Sequence, residues 1–236
     1  MVYSREWHAR SPLRVFENSL RGGLGRGNLG VVMARAGIGK TAFLIDVALD
    51  DLLQGRKVLH VALEDSVERV RNFYDVLFGE LRRTLPIEDP LPAHVRMERH
   101  RMIHAFRRGD LPLELLEKNL DFLELHANFV PQLLILDGVD FHQTSNEELA
   151  GLKSLATRRE LEVWLSAQTH RDRPPRDPRG IDDQVVRFDD YISVMVLLHP
   201  EKEGTVTLQL LKEHDNPDVG ALKLELDPTT LLLAQA

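Results

Sequence analysis

Ala34-Arg35-Ala36-Gly37-Ile38-Gly39-Lys40-Thr41 lies between two periodic stretches of the chain. Before it, Leu29–Met33 is apolar, carries the β-branched Val31 and Val32, and reads as a buried strand. After it, Phe43, Leu44, Val47, Ala48 and Leu52 recur at helical spacing over Thr41–Leu53. The connection between strand and helix has a chemistry. Gly37 and Gly39 let the backbone turn with φ > 0 and aim successive N–H groups inward at a phosphate. The helix that follows adds the partial positive charge of its N-terminus. The Lys40 ammonium neutralises β and γ oxygens, and the Thr41 hydroxyl holds Mg²⁺. Ala36, Gly37, Ile38, Gly39, Lys40, Thr41 and Ala42 are therefore the expected nucleotide-binding residues. The pattern is that of a P-loop, with Ala34 in place of the usual first Gly. With Ala allowed there, composition alone gives a match in roughly 2% of chains of this length. A strand before and a helix after are the context the mechanism demands.

Gly55 stops the first helix and Val58–Leu63 forms a second strand. Asp65 and Glu68 make a capping-box-like start for a helix reaching about Thr84. Pro86, Pro90 and Pro92 then break the chain. His94–Arg108 reads as a basic helical segment and Leu111–Ala127 as an amphipathic one. Leu133–Leu136 is a strand of aliphatic residues. Ser145 and Glu148 form a capping box for a helix to about Glu160, and Glu162–Ala167 is the next strand. Residues 170–188, rich in Pro and Arg, read as a mobile loop. Tyr191–Leu198, Thr205–Leu211 and Ala221–Leu226 are strand-like, with hairpin-type connections, and no internal repeat is visible. Strands alternating with helices over the first 170 residues imply βαβ units. The expected fold is α/β: a mostly parallel central sheet flanked by helices, with an antiparallel C-terminal extension.

Composition narrows the function classes. The chain has 236 residues, 30 basic and 37 acidic, for a net charge of −7 with neutral His. Hydrophobic residues make up 43% and charged ones 28%, which excludes a disordered or fibrous chain. The absence of Cys excludes disulfides, thiolate metal sites and a Cys nucleophile. Apolar runs such as Ile192–Leu198 fall far short of the ~20 residues that span a bilayer. The first ten residues lack the apolar core of a signal peptide. The expectation is a soluble, cytoplasmic protein without a membrane partner. The acidic balance argues against binding nucleic acid by bulk charge.

Leu133-Leu134-Ile135-Leu136-Asp137 has the form of a Walker B strand, whose Asp orients Mg²⁺ and its water. Asp140 nearby reads as a solvated loop acid. A strand ending in acid, Val61-Ala62-Leu63-Glu64-Asp65, stands between the loop and Asp137. Another strand, ending Ser166-Ala167-Gln168, follows. In this order the chain resembles the RecA-like P-loop ATPases, particularly the KaiC and DnaB-helicase branch. The stretch Gly22–Gly27 resembles the entry motif of that branch. The resemblance runs from about Gly22 to Leu226. It implies a RecA-like ATPase domain over 22–236 after an N-terminal segment, 1–21, with ATP and Mg²⁺ bound.

The same resemblance assigns roles. Glu64 would activate the attacking water, as a carboxylate that orients water and accepts its proton can do. Asp65 either shares that role or, as the preferred reading, caps the next helix. Gln168 matches the polar sensor of the γ-phosphate. Lys40 and Lys212 complete the catalytic set, Lys212 by reaching a neighbouring subunit's γ-phosphate. His214 departs from the Arg of the relatives' Lys-x-Arg, and a His at neutral pH is mostly uncharged. A homo-oligomer follows, with a hexamer the leading expectation. His94–Arg108 and the Arg-rich loop His170–Gly180 are read first as solvated or protein-facing surfaces; the loop lacks aromatics that would stack bases. Nucleic acid is the less favoured partner. The expected function is a regulatory or signalling ATPase acting through nucleotide-dependent assembly. The alternative is a DNA-acting recombination or helicase-related ATPase.

Overall fold

The computed structural model describes residues 16–17, 20, 22–84, 90–106, 113–169, 175–201, 204–216, 219 and 224–235. Strand β1 (Leu29–Ala34) is buried at every position. Such a run suits a strand covered on both faces. It is followed by α1 (Lys40–Gln54), β2 (Val58–Ala62), α2 (Val67–Thr84), α3 (Pro90–His100), β3 (Arg101–Ala105) and α4 (Leu113–Ala127). Then come β4 (Leu133–Val139), α5 (Asn146–Arg159), β5 (Glu162–Gln168) and the short α6 (Asp183–Val186). The chain closes with β6 (Val194–Pro200), β7 (Val206–Glu213), β8 (Leu224–Leu226) and β9 (Leu233–Gln235). Among the described residues these strands form one sheet in the order β3-β2-β4-β5-β1-β6-β7-β8-β9. Strands β1 to β6 pair in parallel, and β7, β8 and β9 extend the edge antiparallel. The architecture is α/β, and it fits a RecA-like fold.

Two apolar layers sandwich the sheet. Side chains of α1, α2 and α3 pack on one face, those of α4, α5 and α6 on the other. On the first face Phe16, Phe43 and Trp164 meet edge-on or tilted, with ring centroids 5.4–5.9 Å apart. Phe16 and Leu20 are thus part of this core. Trp164 occupies the space that a side chain at Gly30 would need: an added Cβ would lie 2.7 Å from the indole ring. The central strand can approach the indole only because Gly30 has no side chain. Among the described residues, no helix is long and apolar enough to cross a membrane.

Local chemistry explains where the elements begin and end. Gly39 (φ 119°) precedes α1, and Gly55 (φ 84°) ends it. The Ser145–Glu148 capping box is fully formed, with Glu148 N–H on Ser145 Oγ at 3.2 Å and Ser145 N–H on Glu148 Oε2 at 2.7 Å. Helix α2 departs from expectation: Ser66, not Asp65, caps it, its Oγ accepting the Arg69 N–H at 3.2 Å. Pro90 opens α3 instead of breaking the chain, because a first-turn residue needs no N–H. The basic segment is not one helix to Arg108. The helix stops at His100, and Arg101–Ala105 joins the sheet edge, paired in parallel with Val58–Ala62. Arg107 and Arg108 lie outside the described residues. So do 170–174 of the Arg-rich loop; the later part of the 170–188 stretch is not all loop, since it contains α6, capped by Asp182.

Strand β9 was not visible in the sequence pattern. It is tied to α1 by Asp46, a buried carboxyl whose Oδ2 accepts the Leu233 N–H at 2.9 Å. Burial pushes Asp46 well above the usual carboxylate range.

At the other end of α1, Asp51 Oδ1 lies 2.9 Å from Arg56, which reaches Glu162 at 3.0 Å and so pins α1 to the start of β5. Burial pushes the Asp51 carboxyl up to about 8, opposed by Arg56 and reinforced by Glu162, Asp50 and Glu17. The folded chain therefore keeps a proton that the unfolded chain releases near pH ~4. This contribution to stability is complete below about pH 4 and is lost as the pH rises toward 8. Urea unfolding should give a flatter stability profile between those limits for Asp51→Asn than for the unmodified chain. Equal slopes would contradict the assignment.

Candidate functional site

The C-terminal ends of β1, β2, β4 and β5 lie along one edge of the sheet, because these strands are parallel. Ligands of open α/β sheets gather at this edge. Residues 35–39 leave β1 there and turn into α1. Gly37 has φ 77° and Gly39 φ 119°, both in the region that favours glycine. The first turn of α1 carries no acidic residue, and no side chain caps it. Its N–H groups and partial positive charge are therefore available to an anion. Lys40 Nζ donates to the carbonyls of Ala34 and Arg35, each at 3.3 Å. Burial lowers the Lys40 pKa, while Asp137 and Glu64 act against that shift.

A carboxylate anchors the opposite wall. Asp137 is buried near the end of β4. Thr41 Oγ1, on the first turn of α1, donates to Asp137 Oδ2 at 2.7 Å. Ser166 Oγ, on β5, donates to Asp137 Oδ1 at 2.6 Å and accepts the Gly138 N–H at 2.8 Å. The carboxylate is thus held from two sides by hydroxyls on different elements. Glu64, exposed just past β2, leans over Gly138. A Cβ at Gly138 would come within 2.6 Å of Glu64 Cγ, and Gly138 has φ 94°. Only glycine at position 138 lets the two acids share this edge.

A cavity of about 280 Å³ opens between these groups. Loop residues 36–42 line it together with Glu64, Asp65, Arg69, Phe73, Asp137, Gly138, Ser166, Gln168 and Leu231. Gln168 projects from the end of β5, and its carbonyl accepts the Gln184 amide at 2.5 Å. Asp65 pairs with Arg69 at 3.2 Å. The donor set suits phosphate and Mg²⁺: an uncapped helix N-terminus and an ammonium on one side, and the hard oxygens of Thr41 and Asp137 on the other.

The expected site residues Ala36–Ala42, Glu64, Asp137 and Gln168 therefore share one cavity. Lys212 does not join them. It pairs in register with Met195, which pairs with Val31, three positions before the end of β1. That puts it roughly 10 Å down the sheet from the loop at the usual strand rise. Its Nζ donates to the Asp189 carbonyl at 2.5 Å and to Asp189 Oδ1 at 3.1 Å. With Arg179 and His214 it lines a separate cavity of about 570 Å³.

Sequence reasoning missed Ser166, Gly138 and His60. His60 is fully buried on β2, with Nδ1 3.2 Å from Tyr74 Oη and Nε2 3.9 Å from Asp137 Oδ2. Burial lowers its pKa to about 4, with Asp137 opposing and Arg101 reinforcing the shift. The available signal was a polar residue interrupting an apolar strand, His60 in Val58–Ala62 and Ser166 in Glu162–Gln168. Both face Asp137 only once the strands are paired.

No protein-family model matches the chain. The chain is similar to a DnaB-like replicative helicase of Enterobacteria phage T4, 24% identical over 184 residues. The match covers 66% of this chain and 38% of the helicase. The chain thus spans well under half the length of the curated relative it matches.

Ser166→Ala should lower the unfolding free energy by about 1–3 kcal/mol, because it leaves the Gly138 N–H and one Asp137 oxygen without their partner. Urea denaturation measures this. Unchanged stability would mean that the hydroxyl does not hold the carboxylate.

Proposed function

We propose that the chain binds ATP with Mg²⁺ and hydrolyses it to ADP and phosphate, with residues 22–236 as a RecA-like ATPase domain and 34–41 as its P-loop. The observation that carries this reading is the Thr41 hydroxyl 2.7 Å from the Asp137 carboxylate, at the uncapped N-terminus of a helix that begins with Lys40. Loop amides and Lys40 hold the phosphates, and Lys40 exchanges the Ala34 and Arg35 carbonyls for phosphate oxygens. Thr41 and Asp137 hold Mg²⁺. Bound there, Mg²⁺ neutralises charge on the phosphate oxygens.

Glu64 orients a water and takes its proton as the water oxygen attacks the γ-phosphorus. The bond from that phosphorus to the oxygen bridging to ADP breaks. Gln168 contacts the γ-phosphate and relays its loss to the segment after β5. Lys212, remote from its own loop, acts on the site of a neighbouring copy in a ring or filament, with a hexamer the leading arrangement.

The acidic balance, −7, favours a regulatory ATPase that works through assembly with protein partners. A second reading, a nucleic-acid-coupled motor, is favoured by the similarity to a DnaB-like helicase. ATP turnover with and without single- and double-stranded DNA separates the two, since strong stimulation belongs to the motor.

Two substitutions test the chemistry. Lys40→Ala should weaken ATP binding ten- to over a hundredfold in a folded protein, as expected for lost charge-assisted contacts of ~1.5–3 kcal/mol each. Glu64→Gln should leave binding near the unmodified level and lower turnover about a hundredfold, the scale of a lost general base. Calorimetric titration and phosphate release are the measurements. Unchanged affinity in Lys40→Ala, or undiminished turnover in Glu64→Gln, would remove the corresponding role.

A further inference from the structure

Beneath the cavity, the buried His60 Nε2 has no hydrogen-bond partner among the described residues. Buried ring nitrogens are normally satisfied, and an orphan asks for a reason. Asp137 Oδ2 stands 3.9 Å from this nitrogen, while Nδ1 lies 3.2 Å from Tyr74 Oη. The geometry selects a tautomer. A bare Nε2 lone pair facing a carboxylate is repulsive, so the proton belongs on Nε2. Nδ1 is then an acceptor, and the Tyr74 hydroxyl donates to it. Tyr74 is itself fully buried beneath the Arg101 guanidinium, 4.5 Å from its ring centroid, so the orienting group is fixed in turn.

We propose that His60 is a positioning residue for Asp137, its Nε2–H supporting Oδ2 from within the sheet when Mg²⁺ and nucleotide occupy the site. This rests on the nucleotide reading above. Ser166 already holds Oδ1 and Thr41 contacts Oδ2 from the cavity side. A donor from the third direction fixes the plane of the carboxylate and leaves its outward lone pairs to the metal and its water. Second-sphere groups that orient a ligand act in this way. The 3.9 Å gap is longer than a hydrogen bond. Closing it to about 2.9 Å is a small adjustment.

The test is ADP affinity, by calorimetry, in MgCl₂ and in EDTA. In the unmodified protein Mg²⁺ should tighten ADP binding. In His60→Leu that Mg²⁺ enhancement should fall about tenfold or more, the effect of losing one hydrogen bond to a charged acceptor. Affinity in EDTA should stay unchanged. His60→Gln, which keeps an N–H donor near the Nε2 position, should retain most of the enhancement. Equal weakening with and without Mg²⁺, or an undiminished enhancement in His60→Leu, overturns the proposal. Nitrogen NMR of the ¹⁵N-histidine-labelled unmodified protein tests it independently of folding in the variants. A proton on Nε2 supports it, and a proton on Nδ1 overturns it. An unmodified protein that does not bind ADP at all would overturn the nucleotide reading as well, a result distinct from a failure of His60 alone.

Discussion

A carboxylate taken out of water must be met by donors, or the ionised group costs several kcal/mol. Asp137 is that group here, and much of the site geometry follows from meeting it. Thr41 reaches it from α1 and Ser166 from β5, at 2.7 and 2.6 Å. These two bonds tie the first turn of α1 and the strand β5 to Asp137 on β4. The Lys40 ammonium, Glu64 and the cavity between them take their places around the same point. Site and fold are joined through one side chain whose burial each has to accommodate.

Much of this was legible in the sequence, for a physical reason. The loop, the strand before it and the helix after it are local: their signals lie in adjacent residues and do not depend on distant pairing. The same is true of the Ser145–Glu148 cap and of the aliphatic strand that ends at Asp137. What failed was also physical. In Arg101–Ala105 a short mixed run gave no decisive period, and only pairing with Val58–Ala62 makes it a strand. Ser66 and Asp65 are both good caps, and the backbone path chose between them. Gly138 and His60 are meaningful only through what lies opposite, Glu64 in one case and Asp137 in the other. One sequence cannot display such cross-strand relations.

The sheet also separates two cationic regions that a linear reading would merge. Lys40 faces the cavity at the carboxyl ends of the parallel strands. Lys212 lies lower, on antiparallel β7, bound to Asp189, which also pairs with Arg179. A charge so placed cannot serve its own loop without a large rearrangement. The proposed action on a second copy requires only that the Lys212 side chain leave Asp189, and it stands or falls with the proposed assembly.

Whether loop 34–41 and Asp137 form a Mg²⁺–nucleotide site is answered by a crystal structure grown with ADP and MgCl₂. The β-phosphate should lie within hydrogen-bond reach of the loop amides. Lys40 should have left the Ala34 and Arg35 carbonyls for phosphate, with the metal against the Thr41 hydroxyl. ADP bound elsewhere, with Lys40 still on those carbonyls and Thr41 and Asp137 away from any metal, would contradict it.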